Sequence, residues 1–384
     1  MNNRLRSSGR AGRYVRQPLD YSAFIPNALP PLDPPLSIDI EMQDLLSDAD
    51  RALGRLDGSI QTLPNADLFV LMYIRKEAVL SSQIEGTQSS LTDVLEAEAN
   101  LLDARRPGDV VEVINYIDAL RYGIDRLASL PVSTRLIREI HEHLMSGVRG
   151  QERNPGEVRT SQNWIGQGGS TLNNAIFVPP PAHEVGPALS ALENFVHSNE
   201  RLPVLVRIGL VHAQFETIHP FLDGNGRVGR LLITLLLCER QALSQPVLYI
   251  SHYLKANRQR YYELLQGVRD EGAWEAWLKF FIEGIRTVSD EATETARKIV
   301  SLREAHRKLI TDTFARAAAS ALTLLEDLFK HPVVSVKYVA ELLGMTQAGA
   351  NVLVRRMVDA GLLFEITGNA RNRAFRYGPY VDLF

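Results

Sequence analysis

Twelve consecutive residues, His219-Pro-Phe-Leu-Asp-Gly-Asn-Gly-Arg-Val-Gly-Arg230, constrain this chain more than any other stretch of it. The run from 204 to 218 that precedes them reads as an apolar helix. After them Leu231, Leu232, Ile233, Leu235, Leu236 and Leu237 make a second helix apolar nearly all round, which must therefore be buried. The motif is predicted at a corner between two core helices. Gly224 and Gly226 flank Asn225 where backbone has to approach something closely. The helix that starts there points free N–H groups and its positive dipole end into the same space, which suits an anion. Arg227 and Arg230 share a face of its first turn, and two buried guanidinium groups are costly unless acidic oxygens meet them. A base, a carboxylate, a glycine-framed turn and two arginines are equipment for a nucleotide phosphate.

The chain has 384 residues, beyond the ~250–300 at which single cores stop growing, so two to three domains are expected. A formal charge of -3 gives no global basic field, and any nucleic-acid surface must be local. The single cysteine, Cys238, excludes an internal disulfide and cysteine-based zinc sites; in an apolar helix it reads as core rather than as a nucleophile. No run of about 18 apolar residues occurs, and the arginine-bearing start (Arg4, Arg6, Arg10, Arg13, Arg16) lacks the apolar segment of a signal peptide. These features predict a cytoplasmic protein without a membrane span.

Residues 24–35 are too proline-rich for a helix or central strand and read as an extended arm laid on the body. Helical periodicity dominates from 38 to about 102, with a break at 63–65. A cap signal at Asn65 or Asp67 opens a long helix through Glu85, which Gly86 would stop. Further helices are predicted at 109–128, 133–147, 183–198, 204–218, 227–241, 255–267 and 271–300. The exception is 158–178, where Trp164-Ile165, a Gly-rich turn at 166–169 and Ala175 to Val178 suggest a β-hairpin, a candidate binding flap. Beyond about 315, helices at 319–330, 336–343 and 346–360, then a hairpin from 362 to 377, follow the plan of a winged helix-turn-helix domain. Residues 331–384 carry six Lys/Arg against four acids, a weak surplus for a DNA binder. DNA binding and protein docking or dimerisation both stand for this part.

His219-x-Phe-x-Asp-Gly-Asn-Gly-Arg-x-x-Arg230 resembles the signature of the Fic (filamentation induced by cAMP) family of nucleotidyltransferases at every defining position. Gly12-Arg-Tyr-Val, Phe24-Ile-Pro-Asn, Leu29-Pro-Pro and the segment from Glu77 to Thr87 look like the N-terminal region of bacterial Fic proteins with a C-terminal winged helix. The resemblance implies a mainly α fold: a Fic helical core with a β-hairpin flap, plus a C-terminal winged helix-turn-helix domain. The expected division is 1–105 for the N-terminal region with its inhibitory helix, 106–300 for the catalytic core and 301–384 for the winged helix. The implied activity is transfer of AMP from ATP to a Tyr, Ser or Thr hydroxyl of a target protein, and of the chain itself, releasing pyrophosphate. His219 suits a general base, since imidazole titrates near neutral pH. Asp223 offers a hard oxygen for Mg2+, or else caps the next helix. Gly224, Asn225, Gly226 and Gly229 belong to the nucleotide cradle, with Arg227 and Arg230 neutralising the triphosphate. The segment from Tyr253 to Tyr262 resembles the part that covers the adenine; Asn257 is either its polar contact or a helix cap. The flap would hold the target by strand addition beside His219.

Competing motifs fail. A calcium loop beginning at Asp223 would need other residues at Arg227, Val228 and Thr234, and no Walker-type loop or His-Glu-x-x-His pair occurs. His141-Glu-His143 has the wrong spacing for a metal and reads as helix surface. Family members that phosphorylate their targets carry Ala and Lys where Gly224 and Gly226 stand. Ser81-x-x-x-Glu85-Gly86 resembles the family's N-terminal inhibitory motif, in which the glutamate pairs with the second signature arginine, here Arg230, in the place of the ATP γ-phosphate. A second reading makes the chain chiefly a DNA-binding regulator whose helix 346–360 presents Gln347, Asn351 and Arg355 outward, with the core as a nucleotide sensor. The same cradle would also serve removal of AMP, and a homodimer is a further expectation.

Overall fold

The computed structural model describes residues 9–61, 66–99, 108–148, 150–166, 168–368 and 373–384. The break expected at 63–65, its cap at Asn65, Arg4, Arg6 and parts of the two Gly-rich turns lie outside them. Strands β1 (Gly12–Arg16) and β2 (Ser22–Pro26) form an antiparallel hairpin that leads into α1 (Ile40–Gln61), α2 (Ala66–Ile84), α3 (Leu91–Glu98), α4 (Gly108–Arg126) and α5 (Thr134–Met145). After the flap segment come α6 (Ala182–Val196), α7 (Val204–Ile218), α8 (Asn225–Glu239), α9 (Ser251–Ala256), α10 (Arg258–Glu271) and α11 (Trp274–Thr313). The C-terminal part adds α12 (Ala318–Leu328), β3 (Val333–Ser335), α13 (Val336–Leu343), α14 (Gln347–Asp359), β4 (Phe364–Glu365), β5 (Ala374–Arg376) and α15 (Gly378–Val381). Its three-stranded antiparallel sheet has the order β3-β5-β4.

The core is built around α7 and α8. Every α7 residue from Leu205 to Ile218 is buried, as is α8 from Arg227 to Leu237, so this pair forms the floor on which the motif rests. At Gly209 the chain crosses α11 closely: a Cβ would meet the Leu278 side chain at 2.8 Å, and Trp277 Nε1 donates to the Gly209 carbonyl at 2.8 Å. Helix α1 buries Met42, Leu46, Ala49, Leu53, Leu56 and Ile60, a 4-3-4-3-4 spacing that lays one stripe along α11. Ser133 and Ser90 cap α5 and α3 through their hydroxyls, as short polar side chains do at helix starts.

Four local expectations change. The proline-rich arm contributes β2, whose Phe24 N donates to Val178 O at 2.9 Å, so the N-terminal hairpin braces the flap. Among the described residues of 158–178, the expected hairpin is reduced to one antiparallel bridge, Ile165 to Phe177. The helix expected at 255–267 is split at Asn257 into α9 and α10. Helix α11 continues to Thr313, past the helix end expected at 300, because no proline lies between 274 and 313 to stop it. Cys238 packs against the core, and burial pushes its thiol up to about 12, in keeping with an inert residue. Among the described residues, no helix is long and apolar enough to cross a membrane.

The C-terminal elements rest on α2. The Phe384 ring meets Tyr73 edge-on at 5.3 Å, and Arg75 Nη1 donates to Lys330 O at 3.3 Å.

Candidate functional site

The site lies at the corner between α7 and α8. His219 ends α7 with φ 50° and ψ 62°, a left-handed conformation that turns the chain out of the helix. Its loop is held from both sides. Asn225 accepts from Phe221 N and donates to Phe221 O, each at 2.8 Å, so its amide closes the turn while its backbone belongs to the cradle. Arg159 donates to His219 O at 2.9 Å and to Pro180 O at 2.6 Å, and Asn163 donates to Phe221 O at 2.8 Å.

His219 is half-buried, and its Nδ1 is buried without a partner among the described residues. Burial, then Arg269 and Arg159, lower its pKa to about 3, so the ring is neutral near pH 7 and able to accept a proton.

Gly224, φ 74°, stands at the cap position just before α8, and no side chain of the described residues caps the helix. Its first N–H groups therefore face the cradle, with the dipole behind them. The Glu85 carboxylate occupies that space. A Cβ on Gly226 would overlap Glu85 Oε1, which is 2.7 Å from Arg230 Nη2. Arg230, 1% exposed, also donates through Nε to Ser81 Oγ at 2.9 Å and through Nη2 to Ser81 O at 3.0 Å. The Glu85 side chain is 37% exposed at the rim. Burial opposes its charge, but Arg230, then Arg227 and His219, hold it below the usual carboxylate range. Gly86, φ 102°, ends the segment in the left-handed region open to glycine. Gly229 is required by packing: a Cβ there would overlap the buried Glu216 carboxylate.

Asp223 stands at the mouth, 36% exposed, with Oδ1 accepting from Gly224 N at 2.7 Å and Oδ2 3.9 Å from Arg153. Among the described residues no group of three His, Cys, Asp or Glu side chains could hold a metal alone. One accessible carboxylate fits an ion that takes most of its oxygens from a bound triphosphate and water, as Mg2+ does.

Several partners were not foreseen. Arg227 is paired at 3.2 Å with Glu112 of α4, both buried, and its Nη2 lies 3.5 Å from Met145 Sδ. His141, expected on a helix surface, is buried instead. Its Nδ1 accepts from Gly156 N at 2.9 Å, which leaves Nε2 to donate to Asp223 O at 3.1 Å, and its ring stacks on Phe221 at 3.7 Å. His143 is exposed as expected. Asn257 joins α9 to α10, and its amide donates back to Tyr253 O at 3.0 Å without capping α10. A signal for the buried acids was present: Glu112 lies in the stripe of Val113, Tyr116, Ile117 and Leu120, and Glu216 is the lone acid of a largely apolar α7.

Residues 43–125 match the Fic/DOC family N-terminal region and residues 131–237 match the Fic/DOC family. The chain is 31% identical over 191 residues to a probable protein adenylyltransferase of Aquifex aeolicus, covering 48% of this chain and 54% of the relative. It is 24% identical over 263 residues to the protein adenylyltransferase Fic of Drosophila willistoni, covering 62% and 49%. The chain thus spans about half the length of these relatives. A Fic family protein from Desulfovibrio desulfuricans G20 superposes with a TM-score of 0.57 at 20% identity, over 90% of this chain and 98% of that one. A Fic-1 fragment from C. elegans does so at 0.52 and 18%, over 68% and 74%. Two matched regions around one intact signature and a shared fold place this chain in the Fic/DOC family.

Proposed function

We propose that this protein is an autoinhibited adenylyltransferase that transfers AMP from ATP to a hydroxyl of a target protein, and to itself. The observation that carries the reading is the Glu85 carboxylate lodged between the α8 N-terminus and Arg230, an acid in the place built for a phosphate. The matched relatives named as adenylyltransferases support the direction of transfer. His219, neutral and facing the cradle, takes the proton of the incoming hydroxyl. The hydroxyl oxygen forms a bond to the α-phosphorus, and the bond to the pyrophosphate oxygen breaks, the electron pair leaving with pyrophosphate. Arg230 and the α8 N–H groups meet the growing negative charge. Arg227, held by Glu112, shapes the loop and adds a more muted charge. Asp223 would hold magnesium, which would supply charge neutralisation to the triphosphate. Exposed Trp164 and Ile176 on the flap offer apolar contacts for a target strand.

Glu85 must leave before ATP seats productively. Inhibition by a factor of 10–100 needs only ~1.4–2.8 kcal/mol in favour of the Glu85-bound state. Self-labelling by labelled ATP should rise by about that factor in Glu85→Gly and vanish in Glu85→Gly with His219→Ala. No rise would remove the inhibitory role; retained labelling in the double variant would remove His219 as the base.

A second reading concerns the C-terminal unit, whose helices and three-stranded sheet follow a winged helix-turn-helix plan. On α14, Gln347 and Arg355 are exposed, whereas Asn351 accepts from Arg373 at 2.8 Å; the neighbouring Val352 is 63% exposed and suits a protein contact instead. Salt-dependent retardation of a DNA fragment by the full chain, lost in Arg355→Ala, would support DNA binding; no retardation would end it. Removal of AMP by the same cradle is distinguished by incubating modified target with the wild-type protein and measuring AMP release.

A further inference from the structure

The four last carbonyls of a helix lack partners within it, and α7 ends at the proposed base. Arg269 of α10 meets one of these carbonyls, and the hydroxyl of the next residue, from more than fifty positions away. Its Nη2 donates to Glu216 O and its Nε to Thr217 Oγ1, each at 3.2 Å, while Gln266 Oε1 accepts from Nη1 at 3.3 Å and fixes the fork. The guanidinium lies 3.8 Å from the Phe177 ring centroid. Phe177 is buried, forms the flap's bridge with Ile165, and packs against Phe24. One planar cation thus touches both the last turn before His219 and the second arm of the flap. Among the described residues no carboxylate pairs with it within 4.0 Å, so a costly buried charge is kept where an apolar side chain could have packed.

We propose that Arg269 is a positioning residue, which orients His219 through the end of α7 and couples it through Phe177 to the flap that receives the target. The proposal rests on the reading of His219 as the base and of 158–178 as the flap, but its geometry does not. Three charged groups face His219: Arg269 from α10, Arg159 from the flap's first arm, and Glu85 beyond α2. With Glu85 replaced, the two arginines alone set the charge behind the ring, and both oppose its protonation.

The test uses the full chain in the Glu85→Gly background. Arg269→Lys keeps the charge but loses the fork and the flat face; Phe177→Leu keeps apolar volume but loses the ring. Arg269→Lys is expected to lower kcat on the order of a hundredfold with KM for ATP within about twofold. Phe177→Leu is expected to lower kcat about tenfold, and the double variant to be no slower than Arg269→Lys alone, as for two parts of one contact. Independently of transfer, the His219 imidazole signal in an NMR titration of Arg269→Met should shift and titrate at higher pH than in the parent. Equal losses in kcat and KM, multiplicative losses in the double variant, or an unmoved His219 signal would each overturn the proposal. If the Glu85→Gly parent transfers no AMP, the functional reading falls and the His219 signal alone decides the coupling.

Discussion

Glu85 lies just beyond the last residue of α2, where the helix dipole disfavours an acid by ~0.3–1 kcal/mol, and Arg230 with the α8 N-terminus compensates it. Because its folded pKa is depressed, the pair is intact above the ordinary carboxylate pKa and is lost only as pH falls through the lower folded value. Wild-type self-labelling should therefore stay low from pH 8 down to about pH 5; a rise across that range, followed with labelled ATP, would show that protonation of Glu85 is the release. Arg227 depends on Glu112 in the same way. Breaking a buried pair leaves an uncompensated charge, so Glu112→Ala should destabilise by ~3 kcal/mol and lower the thermal midpoint by several degrees. A midpoint within a degree of wild type would mean that Arg227 finds another partner. The signature and Glu85 were legible because each side chain is unusual for its local context. Glu112, Arg159 and Arg269 were not, since their roles arise from contacts across 53 to 115 positions that no local pattern encodes.

At the scale of elements, α2 is the piece that must move or soften if Glu85 is to leave. Glu77 clamps it to two neighbours: its carboxylate accepts from Ser251 N at 3.0 Å and from Ser251 Oγ at the start of α9, and from Tyr116 Oη of α4 at 3.3 Å. Burial, offset in part by Ser251, Arg230 and Tyr116, raises its pKa to about 7. A raised folded pKa gives stability that is full below the unfolded value of 4.5 and is lost as pH climbs through about 7. Wild type should lose stability relative to Glu77→Gln between pH 5 and pH 8, on the order of 1–3 kcal/mol, seen as converging or crossing thermal midpoints. Parallel midpoints across that range would place the titration elsewhere. Most helices could be read from apolar periodicity to within a few residues. The β1–β2 hairpin and β3 could not, because strands of three to five residues leave too short a period and depend on what they lean on.

Over the whole molecule, the C-terminal unit and the cradle are two faces of α2. Phe384 and Tyr249 both pack on Tyr73, and Lys76 lies over the Tyr249 ring at 4.1 Å, so the end of the chain braces the helix that carries Ser81 and leads to Glu85. Replacing Phe384 with Ala should raise amide exchange in 70–84 several-fold without touching α7 or α8; unchanged protection there would show that α2 is held by the core alone. The central claim is that the 219–230 corner transfers AMP once Glu85 is gone. Intact-mass measurement of Glu85→Gly, incubated with magnesium and each nucleoside triphosphate in turn, tests it most directly. The expected result is addition of AMP with ATP, and none when His219→Ala is combined with Glu85→Gly. An unmodified mass with ATP, or an adduct that survives His219→Ala, would contradict it.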